Sequence, residues 1–156
     1  MLQTSFVDVF ENVCFWACVV SWAVAQFTKM LCALYRTGRL DFGYLASTGG
    51  MPSAHSSLVT GLATVVGLNA GFDSPLFVVA MVFALIVMFD ASTVRRAAGM
   101  QARLLNDIID ELFKEHRLSE QKLAELLGHT RLEVFMGMTM GILLGLLVNS
   151  MAVLYW

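Results

Sequence analysis

Long apolar runs constrain the fold of this chain more than any other feature. A helix needs about 20 predominantly apolar residues to cross the hydrocarbon core of a bilayer. Four segments come close to that length or exceed it, at residues 13–34, 53–70, 75–91 and 132–156. Only 14% of the 156 residues are charged, against about 25% in a typical soluble domain. The sequence therefore predicts one domain over residues 1–156, an all-α integral membrane bundle of about four transmembrane helices.

An amphipathic insert separates the third and fourth predicted spans, at about residues 95–130. Its apolar residues recur at intervals of three or four, a pattern typical of a helix of about five turns: Ala97, Met100, Leu104, Ile108 and Leu112. A second short helix is predicted after it, with Ser119 as its N-cap and Gly128 at its end. We expect a helical hairpin that lies on the protein or on the membrane surface.

Positive charge is confined to one predicted side of the membrane. Every Lys and Arg falls at or beside the 35–52 loop or the 92–131 insert, whereas the opposite side carries only Asp8, Glu11 and Asp73. Basic residues are enriched in cytoplasmic loops, so these two segments are predicted to be cytoplasmic. Four crossings then leave both termini outside. No basic region precedes the first apolar run, so no secretory signal is predicted.

The three cysteines are not spaced as a disulfide framework. Cys14, Cys18 and Cys32 all lie on the first apolar segment, and an odd number of cysteines in such surroundings is most simply a set of small hydrophobic side chains. No Cys/His spacing resembles a zinc site. The sequence therefore predicts neither a metal nor another cofactor.

Small residues recur at every fourth position on two predicted spans. These stripes are Ser53, Ser57 and Gly61 on the second span, and Gly137, Gly141 and Gly145 on the fourth. Small residues let helix backbones approach closely in lipid. Pairing of the two stripes would place the starts of the second and fourth spans side by side.

Polar residues suited to chemistry lie at those two helix starts. Ser53 and His55 begin the second span, and His129 precedes the fourth, with Glu133 four residues later. Residues four apart share a helix face, so a Glu133 carboxylate can accept a hydrogen bond from the His129 ring. Such a bond fixes the imidazole tautomer and makes its other nitrogen more basic. A His–Glu pair that only caps the helix remains the alternative.

Cationic side chains are predicted at the same end of the bundle. Lys29 and Arg36 are seven residues apart, which places both on one face of the first span. Lys29 is close enough to the boundary to extend its ammonium group to water. Asp90 ends the third span, where Lys29 or Arg96 is expected to neutralise it. Cations, histidines and helix N-termini together suit a tetrahedral dianion such as phosphate.

The motifs resemble those of the type 2 phosphatidic acid phosphatase superfamily, which includes the vanadium haloperoxidases. That superfamily carries K-x6-R-P, P-S-G-H and S-R-x5-H-x3-D. The corresponding residues of this chain are Lys29-x6-Arg36, Pro52-Ser53-Ala54-His55 and His129-x3-Glu133. The segments "GGMPSAHSSLVT", "FDASTVRRAAGMQA" and "LLGHTRLEVFMG" look closer to a divergent branch of small membrane proteins related to acid phosphatases. The resemblance covers about residues 29–147.

The resemblance implies a role for each matching residue. His129 would attack phosphorus and form a phosphohistidine, Glu133 would orient it, and His55 would protonate the leaving oxygen. Lys29, Arg36, Ser53 and the N–H groups near residue 54 would hold the phosphoryl oxygens. The third motif's arginine has no counterpart six residues before His129. Arg95 or Arg96 is the nearest substitute, and Lys122 is a weaker one.

The implied activity is metal-independent hydrolysis of a lipid phosphate monoester or pyrophosphate at the cytoplasmic leaflet of a bacterial inner membrane. Thr37, Ala54 and Glu133 replace the Pro, Gly and Asp of the motifs. The missing Pro and the missing arginine of the third motif favour an alternative: a catalytically inactive relative that binds phospholipid or acts as a structural membrane protein. Four spans are fewer than the six typical of membrane phosphatases, so a homodimer could complete the site's walls. A transporter or channel of this size would need oligomerisation, and no nucleic-acid partner is expected.

Overall fold

The computed structural model describes residues 5–38, 50–112 and 128–155. Within these ranges all regular structure is helical. A short 3-10 helix, Phe6–Glu11, precedes five α-helices: α1 Val13–Thr37, α2 Ala54–Ala70, α3 Pro75–Ser92, α4 Val94–Leu112 and α5 Arg131–Tyr155. The second helix predicted for the hairpin, with Ser119 and Lys122, lies outside the described residues.

Local capping residues determine where the apolar helices begin. The Asn12 side chain accepts a hydrogen bond from the Cys14 N–H at 2.8 Å at the start of α1. Ser53 and Ser74 cap α2 and α3, and Pro75 occupies the first turn of α3. Each side chain accepts from an N–H that has no partner within its own helix, and proline suits the first turn for the same reason.

Among the residues that the structure describes, three helical segments are long and apolar enough to cross a membrane: Val13–Tyr35, Pro75–Ile109, which includes both α3 and much of α4, and Arg131–Leu154. α2 is shorter, at 17 residues, yet it is the central helix and packs against α1, α3 and α5. These features confirm the predicted fold class, an all-α integral membrane bundle.

The two small-residue stripes meet along α2 and α5. A Cβ added at Gly137, Gly141 or Gly145 would meet the backbone oxygen of Ser53, Ser57 or Gly61 respectively. The helix backbones are therefore in direct contact, as small residues permit. The pairs follow the same chain order on both helices, so α2 and α5 run parallel and begin at the same end of the bundle.

α1 runs antiparallel to α2. The Ser57 hydroxyl donates to the Ser21 backbone oxygen at 3.0 Å, and farther along α1 the Lys29 side chain lies against Gly50, just before α2 begins. The last turns of α1 and α3 and the first turns of α2 and α5 thus share one end of the molecule. We call it the site end.

α3 packs on α2 through small residues. The buried cluster between them comprises Val59, Ala63, Val66, Ala80 and Ala84. α1 and α3 lie on different flanks of α2 and do not contact each other within the described ranges. Thr93 alone separates α3 from α4, the predicted amphipathic helix, which contacts α3.

Candidate functional site

His129 is a deeply buried ionisable ring at the site end. Its side chain is almost fully buried, and its Nδ1 lies 3.1 Å from Glu133 Oε2. A carboxylate can only accept, so Nδ1 of a neutral imidazole carries the proton and Nε2 keeps its lone pair. This is the base-and-orienter geometry expected from the i, i+4 spacing.

Glu133 also caps α5, as the alternative for the His–Glu pair proposed, but its capping partner is Thr130. Glu133 Oε2 accepts from the Thr130 N–H at 3.0 Å, and the Thr130 hydroxyl accepts from the Glu133 N–H at 3.3 Å. This reciprocal pair is a capping box, whose sequence signature is Thr-x-x-Glu. The signature is present in the sequence, so the second role could have been found there. One carboxylate oxygen therefore holds both the helix start and the His129 ring.

Backbone hydrogen bonds fix the His129 segment against two other helices. The Ser53 N–H donates to the Glu133 oxygen at 3.0 Å, and the His129 N–H donates to the Ala91 oxygen at 3.1 Å. Gly128 lies so close to the backbone of Arg95 and Arg96 that a Cβ there would collide with it. The positions of residues 128–133 are thus determined by α2, α3 and α4 together.

Lys29 points into the bundle and not toward water, contrary to the expectation that it could extend to the membrane boundary. Only 3% of its surface is exposed. Its side chain lies against Gly50, and its ammonium group interacts electrostatically with Glu133, His129 and His55. Burial of a cation is costly unless anionic or polar groups compensate. A buried lysine among two histidines and a carboxylate indicates a built polar site.

Asp90 pairs with Arg95, so the prediction of Lys29 or Arg96 as its partner was wrong. The Arg95 Nε lies 2.7 Å from Asp90 Oδ2. The five-residue separation spans the break at Thr93, where the chain passes from α3 to α4, so Arg95 does not occupy the position that an unbroken helix would give it. Its charge acts on both His55 and His129.

His55 lies exposed at the start of α2, within electrostatic reach of the other site residues. The charges that act on its ring are those of Arg95, His129, Lys29 and Asp90. Within the described part of the chain, the backbone N–H groups of Ala54 and His55 donate no hydrogen bond. The N-terminus of a 17-residue helix therefore presents donors and a partial positive charge at the site.

Ser53 is fully buried, and its hydroxyl is used within the protein. Its Oγ accepts from the Ser56 N–H at 3.4 Å and from the Ser56 hydroxyl at 3.0 Å. Arg96 is exposed, and its charge is not among those that act on the His55 or His129 ring. The Arg36 side chain lies outside the described residues.

The environment of His129 keeps its ring neutral near pH 7. Burial lowers the pKa of His129 below its usual value, and the charges of Lys29 and Arg95 lower it further. The hydrogen bond and the charge of Glu133 act in the opposite direction. Burial is the largest effect, so the lowered pKa leaves Nε2 unprotonated and nucleophilic at neutral pH.

One end of this membrane helical bundle therefore holds two histidines, a buried lysine and a helix N-terminus. The chain belongs to the Divergent PAP2 family, whose profile matches residues 10–144. It is similar to the uncharacterized membrane protein YuiD of Bacillus subtilis (strain 168), with 42% identity over 135 residues, which cover 80% of this chain and 85% of that protein. No solved structure matches the chain. These findings confirm the resemblance proposed from the motifs.

Proposed function

We propose that this protein is a metal-independent membrane phosphatase that hydrolyses a lipid phosphate monoester or pyrophosphate at the cytoplasmic leaflet. One observation carries the proposal: a buried His129, held through Nδ1 by Glu133, lies in a group that also contains Lys29, Arg95 and His55. Phosphoryl transfer through a covalent intermediate requires a nucleophile, a carboxylate that orients it, a second proton carrier and cations.

In the first half-reaction, His129 Nε2 attacks phosphorus and forms a P–N bond. The bond between phosphorus and the ester oxygen breaks, and the leaving oxygen takes its electron pair and a proton from His55. The Glu133 carboxylate stabilises the positive charge on the phosphorylated imidazole, because it accepts a hydrogen bond from the Nδ1–H group of His129 throughout the step. The products are the free alcohol and a phosphohistidine.

In the second half-reaction, water replaces the alcohol. His55, now neutral, accepts a proton from the water as its oxygen attacks phosphorus, and the P–N bond breaks. Inorganic phosphate leaves, His129 regains its lone pair, and His55 is again protonated. The same group thus acts first as acid and then as base.

The phosphoryl oxygens would be held by charge and by backbone donors. Lys29 and Arg95 supply positive charge, and the free N–H groups of Ala54 and His55 supply donors at the start of α2. Arg36 remains part of the proposed cradle on the basis of its motif position. Arg96 remains the alternative to Arg95 as the substitute for the third motif's arginine. The capping role of Ser53 makes it a support for these N–H groups.

A second candidate is phospholipid binding without turnover. The departures from the motifs favour it, since Thr37 stands where the first motif has proline and Leu123 where the third has arginine. The two candidates share the cradle and differ in whether His129 forms a covalent intermediate. Trapping of a phosphohistidine therefore separates them.

The test uses purified full-length protein in detergent and two phosphate esters, one with a nitrophenol leaving group and one a lipid phosphate. We expect His129→Asn to reduce phosphate release from both by on the order of 10³-fold or more. His55→Ala should cost about 10²–10⁴-fold on the lipid phosphate and little on the nitrophenyl ester, whose leaving group needs no proton.

Glu11→Gln, at the opposite end of the bundle, serves as the matched control and should leave both rates unchanged. Equal losses on both esters for His55→Ala would contradict the division of roles. Binding of the lipid phosphate by wild-type protein without phosphate release or an acid-labile phosphoprotein would establish the second candidate instead.

A further inference from the structure

The packing of the outer helices around α2 limits how a lipid can reach the site. α2 is flanked by α1, α3 and α5, and the site lies at its N-terminus. A hydrocarbon chain attached to a bound phosphate must leave between two of these three helices. Three openings are therefore available, and the contacts at the site end differ among them.

A long apolar groove runs between α3 and α5. The polypeptide backbone crosses this groove at the site end. Two adjoining depressions, of about 420 and 490 Å³, share Leu85, Met88 and Met138. The His129 N–H donates to the Ala91 oxygen, and Gly128 packs against the α4 backbone. The polypeptide of residues 128–130 thus lies between this groove and the site.

The side between α1 and α5 is closed in a similar way. Its groove of about 420 Å³ ends at Met51 and Pro52. Pro52 is buried, and the N–H of the following residue, Ser53, donates to the Glu133 backbone oxygen. Gly50 lies against Lys29. The residue 50–53 segment therefore separates this groove from His129.

The side between α1 and α3 has no such bridge within the described residues. Those two helices do not contact each other. The backbone oxygens of Ser53, Ser57 and Gly61 lie against α5, and the Ser57 hydroxyl bonds α1. Val59 and Ala63 pack toward α3. His55, Leu58 and Leu62 share the remaining face by helical spacing. His55 is exposed, and Asp90 and Arg95 are partly exposed at the same end.

We propose that the lipid substrate enters between α1 and α3 and lays its hydrocarbon chain along Leu58 and Leu62. This inference rests on the proposed function, whose phosphate site it connects to the bilayer. His55 and Leu58 are one turn apart on the same face, so the polar site and the apolar face are continuous. The cations beside His55 match the charge of a phosphate headgroup, and the leucines match its chain.

Tryptophan substitutions test the three routes against one another. Leu58→Trp fills the proposed entrance, Leu85→Trp fills the α3–α5 groove, and Met140→Trp fills the α1–α5 groove. Each variant is assayed with a long-chain lipid phosphate and with nitrophenyl phosphate. We expect Leu58→Trp to reduce kcat/KM for the lipid at least 10-fold relative to nitrophenyl phosphate, and the other two variants to leave that ratio within 2-fold of wild type, on the scale of a hydrophobic pocket contact.

A selective loss of lipid hydrolysis in Leu85→Trp or Met140→Trp, with Leu58→Trp unaffected, would overturn the proposed route. Loss of both activities in Leu58→Trp alone would indicate a damaged site. A crosslinking measurement of lipid binding then decides which route the lipid takes. A lipid phosphate with a photoreactive group in its chain is crosslinked to the His129→Asn variant, and the attachment site is mapped by mass spectrometry.

Attachment at residues 58–62 supports the α1–α3 route, whereas attachment at Met138 or Leu143 contradicts it. The crosslinking reports the route even without turnover. Absence of all phosphate release in wild-type protein would therefore refute the proposed phosphatase while leaving the route to be judged by the mapped positions.

Discussion

At the scale of single residues, Glu133 is the position where folding and chemistry are joined. One oxygen accepts from both the Thr130 N–H and the His129 ring, so the start of α5 and the tautomer of the imidazole depend on the same carboxylate. The opposing effects on His129 make its pKa a direct measure of this arrangement. Burial lowers that pKa and Glu133 raises it.

Glu133→Gln should separate the two roles, because an amide oxygen can still accept from Thr130 but carries no charge. The pKa of His129 should fall further, since the charge that raises it is gone. Activity that needs a neutral His129 is lost as the pH falls through this pKa, so the acid limb should move to lower pH. The rate at neutral pH should fall by on the order of 10²-fold or more, because an imidazolium intermediate loses its counter-charge.

NMR titration of ¹⁵N-histidine in detergent, with the His129 signal assigned by the His129→Asn variant, measures the pKa without interference from ionisation of the substrate phosphate near pH 6. Glu133→Asp serves as the control that keeps the charge. A His129 pKa that rises or stays constant in Glu133→Gln would contradict the role assigned to the carboxylate.

The residues of the site could be predicted from sequence more fully than their contacts. Spacing alone placed His129 and Glu133 together, because four residues is one helical turn. Lys29 is buried and lies against Gly50, a residue distant from it in the sequence. The choice of Arg95 over Arg96 as the Asp90 partner depends on the α3–α4 break at Thr93. Neither the direction of Lys29 nor the partner of Asp90 can be predicted from the spacing of residues along one helix.

At the scale of helices, the contact of α2 with α5 determines where the reactive groups lie. The glycine stripe brings the two backbones together over three successive turns, and both helices begin at the site. The extents of the apolar runs predicted the bounds of α1, α2, α3 and α5 to within about one turn. The stripe also predicted which helices meet, since small residues at every fourth position serve few other purposes in lipid.

Gly141→Ala tests the stripe as a determinant of stability. Alanine in place of glycine favours a helix by up to about 1 kcal/mol. The added Cβ would collide with the Ser57 backbone oxygen and the Thr60 hydroxyl, and overpacking of this kind costs about 1–3 kcal/mol. Because backbone cannot move aside as a side-chain tip can, the collision should win. The midpoint of thermal unfolding in detergent should therefore fall by several degrees.

Leu143→Ala on the same helix provides a control, because Leu143 is 66% exposed and faces away from α2. Its midpoint should change little. A rise in the midpoint of Gly141→Ala would show that helix propensity outweighs the contact and that the α2–α5 interface is looser than the structure has it.

At the scale of the whole molecule, the arrangement of α2 determines the topology. α2 rises only about 25 Å at 1.5 Å per residue, less than the roughly 30 Å of a hydrocarbon core. It nevertheless runs beside α1 and α5 from the level of Lys29 and His129 to its far end, where Asn69 donates to Asn149 at 2.7 Å. Its buried Ser56, Ser57 and Thr60 are covered by neighbouring helices, which explains how so short a helix, rich in Ser, Thr and Gly, can lie in the bundle.

This arrangement yields a prediction about both termini. If α2 crosses the membrane with the three longer segments, the number of crossings is even, and the start of α1 lies on the same side as the end of α5. The positive-inside rule predicts that the site end, which carries the cations, faces the cytoplasm. In a variant whose three native cysteines are replaced by alanine, Phe6→Cys and Val153→Cys should both react with a membrane-impermeant thiol reagent in intact cells. Gly50→Cys and Arg131→Cys should react only after permeabilisation.

Opposite sidedness of positions 6 and 153 would mean that only three segments cross. The antiparallel α1–α2 and parallel α2–α5 contacts could not then hold together in a membrane, because they require α2 to share the depth of both neighbours.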